Sequence, residues 1–396
     1  GFVYVSDLDG EAVYSDNDEV TEDDLLRGVA EGKLSNPAVV WEKQKTSNFG
    51  LDFSLFDNKL NLSLDAYERE TEDLLVTPQA SGVLGIAAPG SSAPTVNAGT
   101  VSNKGLEFSF AYSDNLNDDL DFNLGFNIST IENEVLFVAS ENGFEQGGDW
   151  GVGLGIIPSR MEAGYPIGYF YGYKTNGVYQ NQAEIDALNE NAPDSEDNPK
   201  PGVYHDKARV GDLKFVDVNG DGFISDEDKT YIGDPIPDFT MGFNLGFNYK
   251  NFDFNTSAYA SVGNDMVRDY ERQANGVNRG TYMYKRWRGE GTSYTVPRGS
   301  SGSSINNQNF SDFYVEDASY LRIQNVQLGY TANESLTSRL GMDSLRMYIS
   351  VNNLYTFTNY YGFDPSASSG SPIGAGIDKG FYPVSRTFLL GLNIKI

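Results

Sequence analysis

The sequence predicts an all-β fold, a transmembrane antiparallel β-barrel with long loops on one rim, and three observations carry that prediction. Apolar residues alternate with polar or small ones over many segments, each long enough to cross a membrane as a tilted strand. The connections between these segments alternate between short and long. The composition, with 24 Phe, 25 Tyr and 43 Gly in 396 residues, suits twisted strands joined by turns.

The alternation is plainest in the middle of the chain. Phe239, Met241, Phe243, Leu245, Phe247 and Tyr249 fall on one face, and Thr240, Gly242, Asn244, Gly246 and Asn248 on the other. After a turn at Lys250-Asn251, Phe252, Phe254, Thr256 and Ala258 oppose Asp253, Asn255, Ser257 and Tyr259. A strand buried on both faces would be apolar throughout. One greasy and one wet face fit a wall between lipid and an aqueous lumen, and explain a hydrophobic content of only 39%. The same pattern occupies 49–55, 60–64, 106–112, 120–128, 345–351 and 388–396, while a run at 320–330 changes phase near Asn325, as a bulge would cause.

Nine strands are expected, at about 42–56, 59–75, 102–113, 119–135, 238–250, 252–264, 314–331, 344–358 and 385–396. The connections at 57–58, 114–118 and 251 are short, and that at 332–343 is moderate. Those at 76–101, 136–237, 265–313 and 359–384 are long. Short periplasmic turns opposite long extracellular loops mark outer-membrane barrels. A soluble β-sandwich would explain the alternation but not this order. Tyr112, Tyr249, Phe252 and Tyr330 are expected near the short turns, where an interfacial aromatic girdle belongs. A short helix is expected over 181–192 and a turn from Ser335 to Leu340.

With 28 basic and 56 acidic residues the formal charge is −28, which argues against nucleic-acid binding and fits a solvated surface or one that collects divalent cations. Without cysteine there is no disulfide framework and no thiolate metal site. No apolar run is long enough for a transmembrane helix, and the first residues lack the pattern of a signal peptide, so a mature or truncated chain is expected. Residues 1–35 read as an acidic loop or the N-terminal edge of a fragment, and 36–396 as barrel.

The extracellular loop 136–237 carries one specific motif. Over 217–228, Asp217, Asn219, Asp221, the Phe223 carbonyl, Ser225 and Asp228 match the spacing of a calcium loop, with Gly222 at the sharp turn. Alternate oxygen donors let a tight loop wrap a hard cation, so bound calcium, with magnesium as a substitute, is expected as a structural staple. Asp228 is shorter than the Glu usual at the last position, which makes bidentate coordination harder. The flanks lack the paired helices of a sensor. From 182 to 238 there are 15 acidic and 5 basic residues, so a cation would also relieve repulsion.

No enzyme constellation emerges. His205 is the only histidine and reads as a solvated loop residue rather than a catalytic base. The Gly-rich stretches near 82–105 and 362–380 lack phosphate-loop spacing. Residues 265–300 hold 7 basic against 4 acidic residues among several aromatics. There Tyr284, Arg286, Trp287 and Arg288 are candidate substrate contacts, because rings stack on sugars and guanidinium groups bind carboxylates.

Several blocks resemble one family. The run from Gly211 through Asp217, Asn219 and Asp221 to Asp228, continuing as Ile232-Gly233-Asp234-Pro235 to Phe239, is similar to a block of SusC/RagA-type TonB-dependent transporters. Further resemblances lie at Asn36-Pro37 with Trp41-Glu42-Lys43, Asn103-Lys104-Gly105, Glu316-Asp317, Tyr320-Leu321-Arg322, Asn352-Asn353-Leu354, Tyr361-Gly362, Asp364-Pro365 and Arg386-Thr387-Phe388. The resemblance implies that the chain is the C-terminal part of a roughly 22-stranded barrel in the outer membrane of a Gram-negative cell. It implies TonB-driven import of an oligomeric nutrient, a glycan or a peptide, through a plug domain outside this sequence. It implies a SusD-like surface lipoprotein as partner. A calcium-stabilised surface adhesin or assembly component without transport is the competing expectation. Nine strands are too few for such a barrel, so a fragment or split subunit is expected. Ile396 stands where the family ends on an aromatic.

Overall fold

The computed structural model describes residues 35–77, 94–148, 150, 156–195, 197–271, 280–299 and 306–396, with the backbone of four short strands at Leu8–Asp9, Val13–Ser15, Leu25–Arg27 and Ala30–Glu31. Much of the acidic stretch 1–35 and of the Gly-rich stretch 82–105 lies outside these residues. Nine strands form one antiparallel meander: β1 Lys43–Leu55, β2 Leu60–Val76, β3 Val96–Asn117, β4 Leu120–Thr130, β5 Phe239–Tyr249, β6 Phe252–Val262, β7 Tyr320–Thr331, β8 Ser344–Thr358 and β9 Thr387–Lys395. Each pairs with its sequence neighbour, and the sheet is open between β1 and β9. Each of the nine expected strands has its counterpart in this sheet, two of them over shorter spans. Hydrocarbon does not tolerate free strand edges, so this sheet is one part of a closed transmembrane wall.

Register explains why the alternation works across strands and not merely along them. Leu55 pairs with Leu60, and the row continues through Tyr112, Leu124, Leu245, Thr256, Val326 and Val351 to Phe388. One apolar row thus crosses all nine strands with a single threonine. It starts at the short-turn end of β1 and finishes at the long-loop end of β9, a stagger that barrel closure requires. The apolar face is the exposed one: Phe49, Phe53, Leu106, Phe247, Ile349, Phe388 and Leu392 all lie on the surface, and Leu390 is 87% exposed. Nine strands about 4.8 Å apart make this band roughly 40 Å wide, far beyond the apolar patches of soluble monomers. A sandwich would bury this face; lipid covers it here. The opposite face is polar, with Asn123 and Asn255 over Gly246, and with Arg346 paired to Asp253.

The girdle is partly as expected. Tyr249, Phe252 and Tyr330 share one row beside the short turns, Phe252 and Tyr330 with ring centroids 4.9 Å apart. Tyr112 is not part of this girdle: it lies four residues further in, in the row of Leu124 and Leu245, because β3 runs on to Asn117 instead of stopping at 113. Two expected strands are broken. The 119–135 segment ends its run in the wall at Thr130, opposite the first residue of β5. Glu132–Val138 continues along β3, which β4 already pairs, and enters in the same register without a partner on its other side in β5. The 314–331 segment breaks at 318–319, where the Asp317 carboxylate accepts from the Ser319 N–H. The phase change near Asn325 is a true register shift between Ile323 and Asn325. The expected short helix forms over Gln182–Glu190, capped by the Asn181 side chain, and the expected turn at 335–340 belongs to a second short helix, Glu334–Arg339.

Buried apolar residues gather where the long loops meet. Val135, Met161 and Ile373 form one cluster, Trp150, Phe170, Val267, Phe310 and Ile377 a second, and Tyr173, Val178, Leu213 and Phe215 a third. The barrel wall is covered by lipid; the cap has a core of its own.

Candidate functional site

Among the described residues the cap holds three small sheets, one of them the pair Thr175–Val178 and Leu213–Phe215. Asp265–Arg268 pairs antiparallel with Val315–Asp317 and parallel with Ile377–Asp378, and so ties the connection between β6 and β7 to that between β8 and β9. Arg268 is its centre. The guanidinium donates to Glu316 at 2.7 Å and to the Phe313 carbonyl at 3.1 Å, and lies over the rings of Tyr282, Phe313 and Tyr314. The Trp150 indole N–H donates to the Arg268 carbonyl at 3.0 Å. Arg322 on β7 holds the loop after β8 through Asp364 at 2.6 Å, and both side chains are buried. At the foot of the cap, burial together with neighbouring Asp234 pushes Asp265 up to about 6.

The four-stranded sheet orders Phe144–Gly147, Ser159–Glu162, Tyr169–Tyr173 and Lys229–Gly233. Its inner face, with Ser159, Met161 and Phe170, is buried. Pairing places Phe144, Gln146, Arg160, Glu162, Tyr169, Tyr171, Tyr173, Lys229 and Tyr231 together on the other face. The Arg160 guanidinium is clamped between the rings of Tyr171 and Phe144, 3.4 and 4.0 Å from their centroids. Tyr165, Tyr169 and Tyr231 stack with interplanar angles of 20–25°. The Tyr169 hydroxyl donates to Glu162 and the Tyr173 hydroxyl to Asp226, and burial pushes both phenols up, keeping them protonated donors. A cavity of about 340 Å³ opens on this face, lined also by Ile156, Ile157, Asn309 and Phe310. The sequence signal for it was available: tyrosines at 169, 171 and 173 alternate as on a half-buried strand, inside a stretch read only as loop.

The residues expected to bind a cation lie in a loop closed on itself. Asp217 accepts from the Gly220 and Gly222 N–H groups at 2.6 and 2.8 Å, Asn219 from Asp221 at 3.0 Å, and Asp221 from Phe223 at 3.1 Å. Asp228 is fully buried and accepts from Val218 and Ser225, both at 2.8 Å. Gly222 turns the chain at φ +91°, a value open to glycine but strained for other residues. These bonds leave each carboxylate oxygen a further lone pair, so the donor set fits a hard cation. Among the described residues no group of three or more His, Cys, Asp or Glu is gathered about a metal position.

The four candidate contacts at 284–288 differ in exposure and in their partners. Tyr284 is 77% exposed, and Arg288 is exposed and donates to the Tyr284 carbonyl at 3.2 Å. Arg286 is half-buried and donates to the Met283 carbonyl at 3.1 Å. Trp287 packs on the cluster around Leu213 and Phe215, its ring lying where a side chain at Gly211 would project. His205 is a correction. It is buried against Phe215 rather than solvated, because the chain after the short helix folds back under the calcium-type loop. Burial lowers its pKa to about 4, so it is neutral at physiological pH.

Comparison with known proteins agrees with this architecture. The family model described as TonB dependent receptor-like, beta-barrel matches residues 14–354. The TonB-dependent receptor P3 of Formosa agariphila is 36% identical over 387 residues, which is 95% of this chain and 36% of that protein. The TonB-dependent receptor SusC of Bacteroides thetaiotaomicron is 29% identical over 374 residues, 94% of this chain and 34% of that one. The solved structure of the RagAB peptide transporter shares the fold, with a TM-score of 0.68 at 22% identity over 99% of this chain and 38% of that chain. The chain spans just over a third of the length of the curated relatives it matches.

Proposed function

The chain belongs to the family of TonB-dependent receptor-like β-barrels, and from that premise we propose that it supplies wall and cap to an outer-membrane importer of Gram-negative bacteria. Its work there is transport rather than catalysis. The importer takes up an oligomeric nutrient, a glycan or a peptide, with energy delivered by TonB and with a SusD-like surface lipoprotein as partner. The observation that carries this reading is the exposed apolar band crossing all nine strands under a folded cap of long loops. A surface adhesin could use the same cap, and a whole-cell uptake assay separates the two. Uptake of labelled nutrient is expected to stop when TonB is lost or the proton-motive force is collapsed. Uptake that persists, or surface binding without entry, would overturn import.

We further infer that the 217–228 loop binds calcium as a staple of the cap, magnesium being a weaker substitute. The support is the donor spacing and the turn at Gly222. Calorimetric titration with calcium is expected to give binding heat that Asp217→Ala and Asp221→Ala each abolish. Equal heats in all three proteins would sink the idea.

A further inference from the structure

We propose that the clasp of Asp265–Arg268 with Val315–Asp317 and Ile377–Asp378 is a pH-sensitive latch, closed more firmly in mildly acidic surroundings than in neutral ones because Asp265 takes up a proton. The proposal goes beyond import and does not depend on it.

Asp265 stands where several segments meet. Its N–H donates to the Asp234 carbonyl at 2.8 Å, in the lead-in to β5. Across the clasp it pairs directly with Asp317. From the β8–β9 connection, the Gly376 carbonyl accepts from the Val267 N–H at 2.8 Å. Like charges directly opposite in an antiparallel pair destabilise it. Two more carboxylates, those of Asp234 and Asp238, act on Asp265 from the lead-in. The Asp265 side chain lies so close on Gly233 that a Cβ there would stand 2.5 Å from its Oδ2. Among the described residues no salt bridge reaches Asp234, Asp238, Asp265 or Asp317. Arg268 alternates to the other face of its strand and is held by Glu316, and Arg322 is held by Asp364. Tyr231 donates to Asp234, Tyr320 lines the same small cavity as Asp265, and Asp378 is engaged by Tyr360.

Burial, and then the charge of Asp234, raise the Asp265 carboxyl to about 6 from an ordinary 3.8, and the Asp234 N–H that donates to it offsets only part of this. The closed clasp therefore takes up the proton at a higher pH than the open one. Protonation adds stability as pH falls below that value, and the stability is lost as pH rises through it. These two ionisation values make the opening equilibrium about ten-fold smaller at pH 5 than at pH 7.5. His205 acts in the opposite sense, since its pKa is lowered from 6.5 to about 4 and its site weakens in acid. It lies against Tyr179 and Phe215, so position separates the two effects.

The test is amide hydrogen exchange of the full-length receptor in detergent, read peptide by peptide at pH 5 and 7.5 and corrected for the intrinsic pH dependence of exchange. Peptides holding the Asp265, Val267 and Ala318 amides, all hydrogen-bonded in the clasp, are expected to open about ten-fold less at pH 5. Asp265→Asn, which mimics the protonated group, is expected to bring opening at pH 7.5 down to the acid level and to remove most of the pH dependence. Should that variant lose the fold of the cap, Asp317→Asn decides. It removes the charge directly opposite, and is expected to lower opening at pH 7.5 and to move the midpoint of the pH dependence downward. Equal opening at both pH values, faster opening in acid, or a pH dependence unchanged in both variants would overturn the proposal.

Discussion

Leu245→Arg is expected to keep the barrel from assembling in the membrane, whereas Asn244→Arg, one residue away, is expected to leave assembly nearly intact. Leu245 lies mid-strand in β5, in the apolar row between Leu124 and Thr256. Asn244 lies on the polar face beside Gly125 and Ser257. An arginine on the lipid face costs about 2–4 kcal/mol at the bilayer midplane, while a lumen position keeps it in water. The wall also cannot escape by slipping. A one-residue shift would turn all eleven side chains of the strand to the wrong face. The readout is the fraction of receptor in outer-membrane preparations that resists unfolding in detergent at room temperature. Equal loss in both variants would show that the two faces do not differ in environment, and the barrel reading would fall.

Arg268→Ala is expected to unravel the cap while leaving the wall inserted. The side chain is 6% exposed and its partner Glu316 15%, so the change strands a carboxylate in a nearly dry site. It also removes the cation from three ring faces. Breaking one side of a buried pair costs about 3–5 kcal/mol, a large share of the stability of a loop domain this size. Limited proteolysis should therefore cut within 265–320 in the variant and not in the parent. The double variant Arg268→Met, Glu316→Leu should recover part of the loss, because well-packed apolar groups replace a buried pair at little cost. A protease pattern identical to the parent's would show that Arg268 does not hold the cap.

The wall was legible in the sequence because a barrel strand writes its environment into its own residues, one face at a time. Phe239 to Tyr249 needs no knowledge of the rest of the chain to be read. The cap was not legible, because its decisive contacts join distant positions. Arg268 meets Glu316 and Trp150, and Arg298 meets Asp212. No local pattern announces such pairs. His205 was misread for the same reason: in the sequence it stands among turn residues beside Asp206, and only folding lays Phe215 and Tyr179 over it. The calcium-type spacing is the one motif of the cap open to local reading, since all its candidate donors fall within twelve residues. The tyrosine alternation at 169–173 showed a strand, but Arg160 joins that face only through pairing with a separate strand.

The clasp made by Asp265–Arg268, Val315–Asp317 and Ile377–Asp378 bears on the order in which the molecule forms. Wall strands pair with their sequence neighbours, and those joined by the short turns close little chain and can form early. The clasp cannot. Its parallel member lies more than a hundred residues downstream of its first, beyond β8. A chain stalled before residue 377 would hold most of this wall with an unfinished, protease-accessible crown. The clasp thus acts as a completion mark, closed only on molecules whose strands through β8 are already in place.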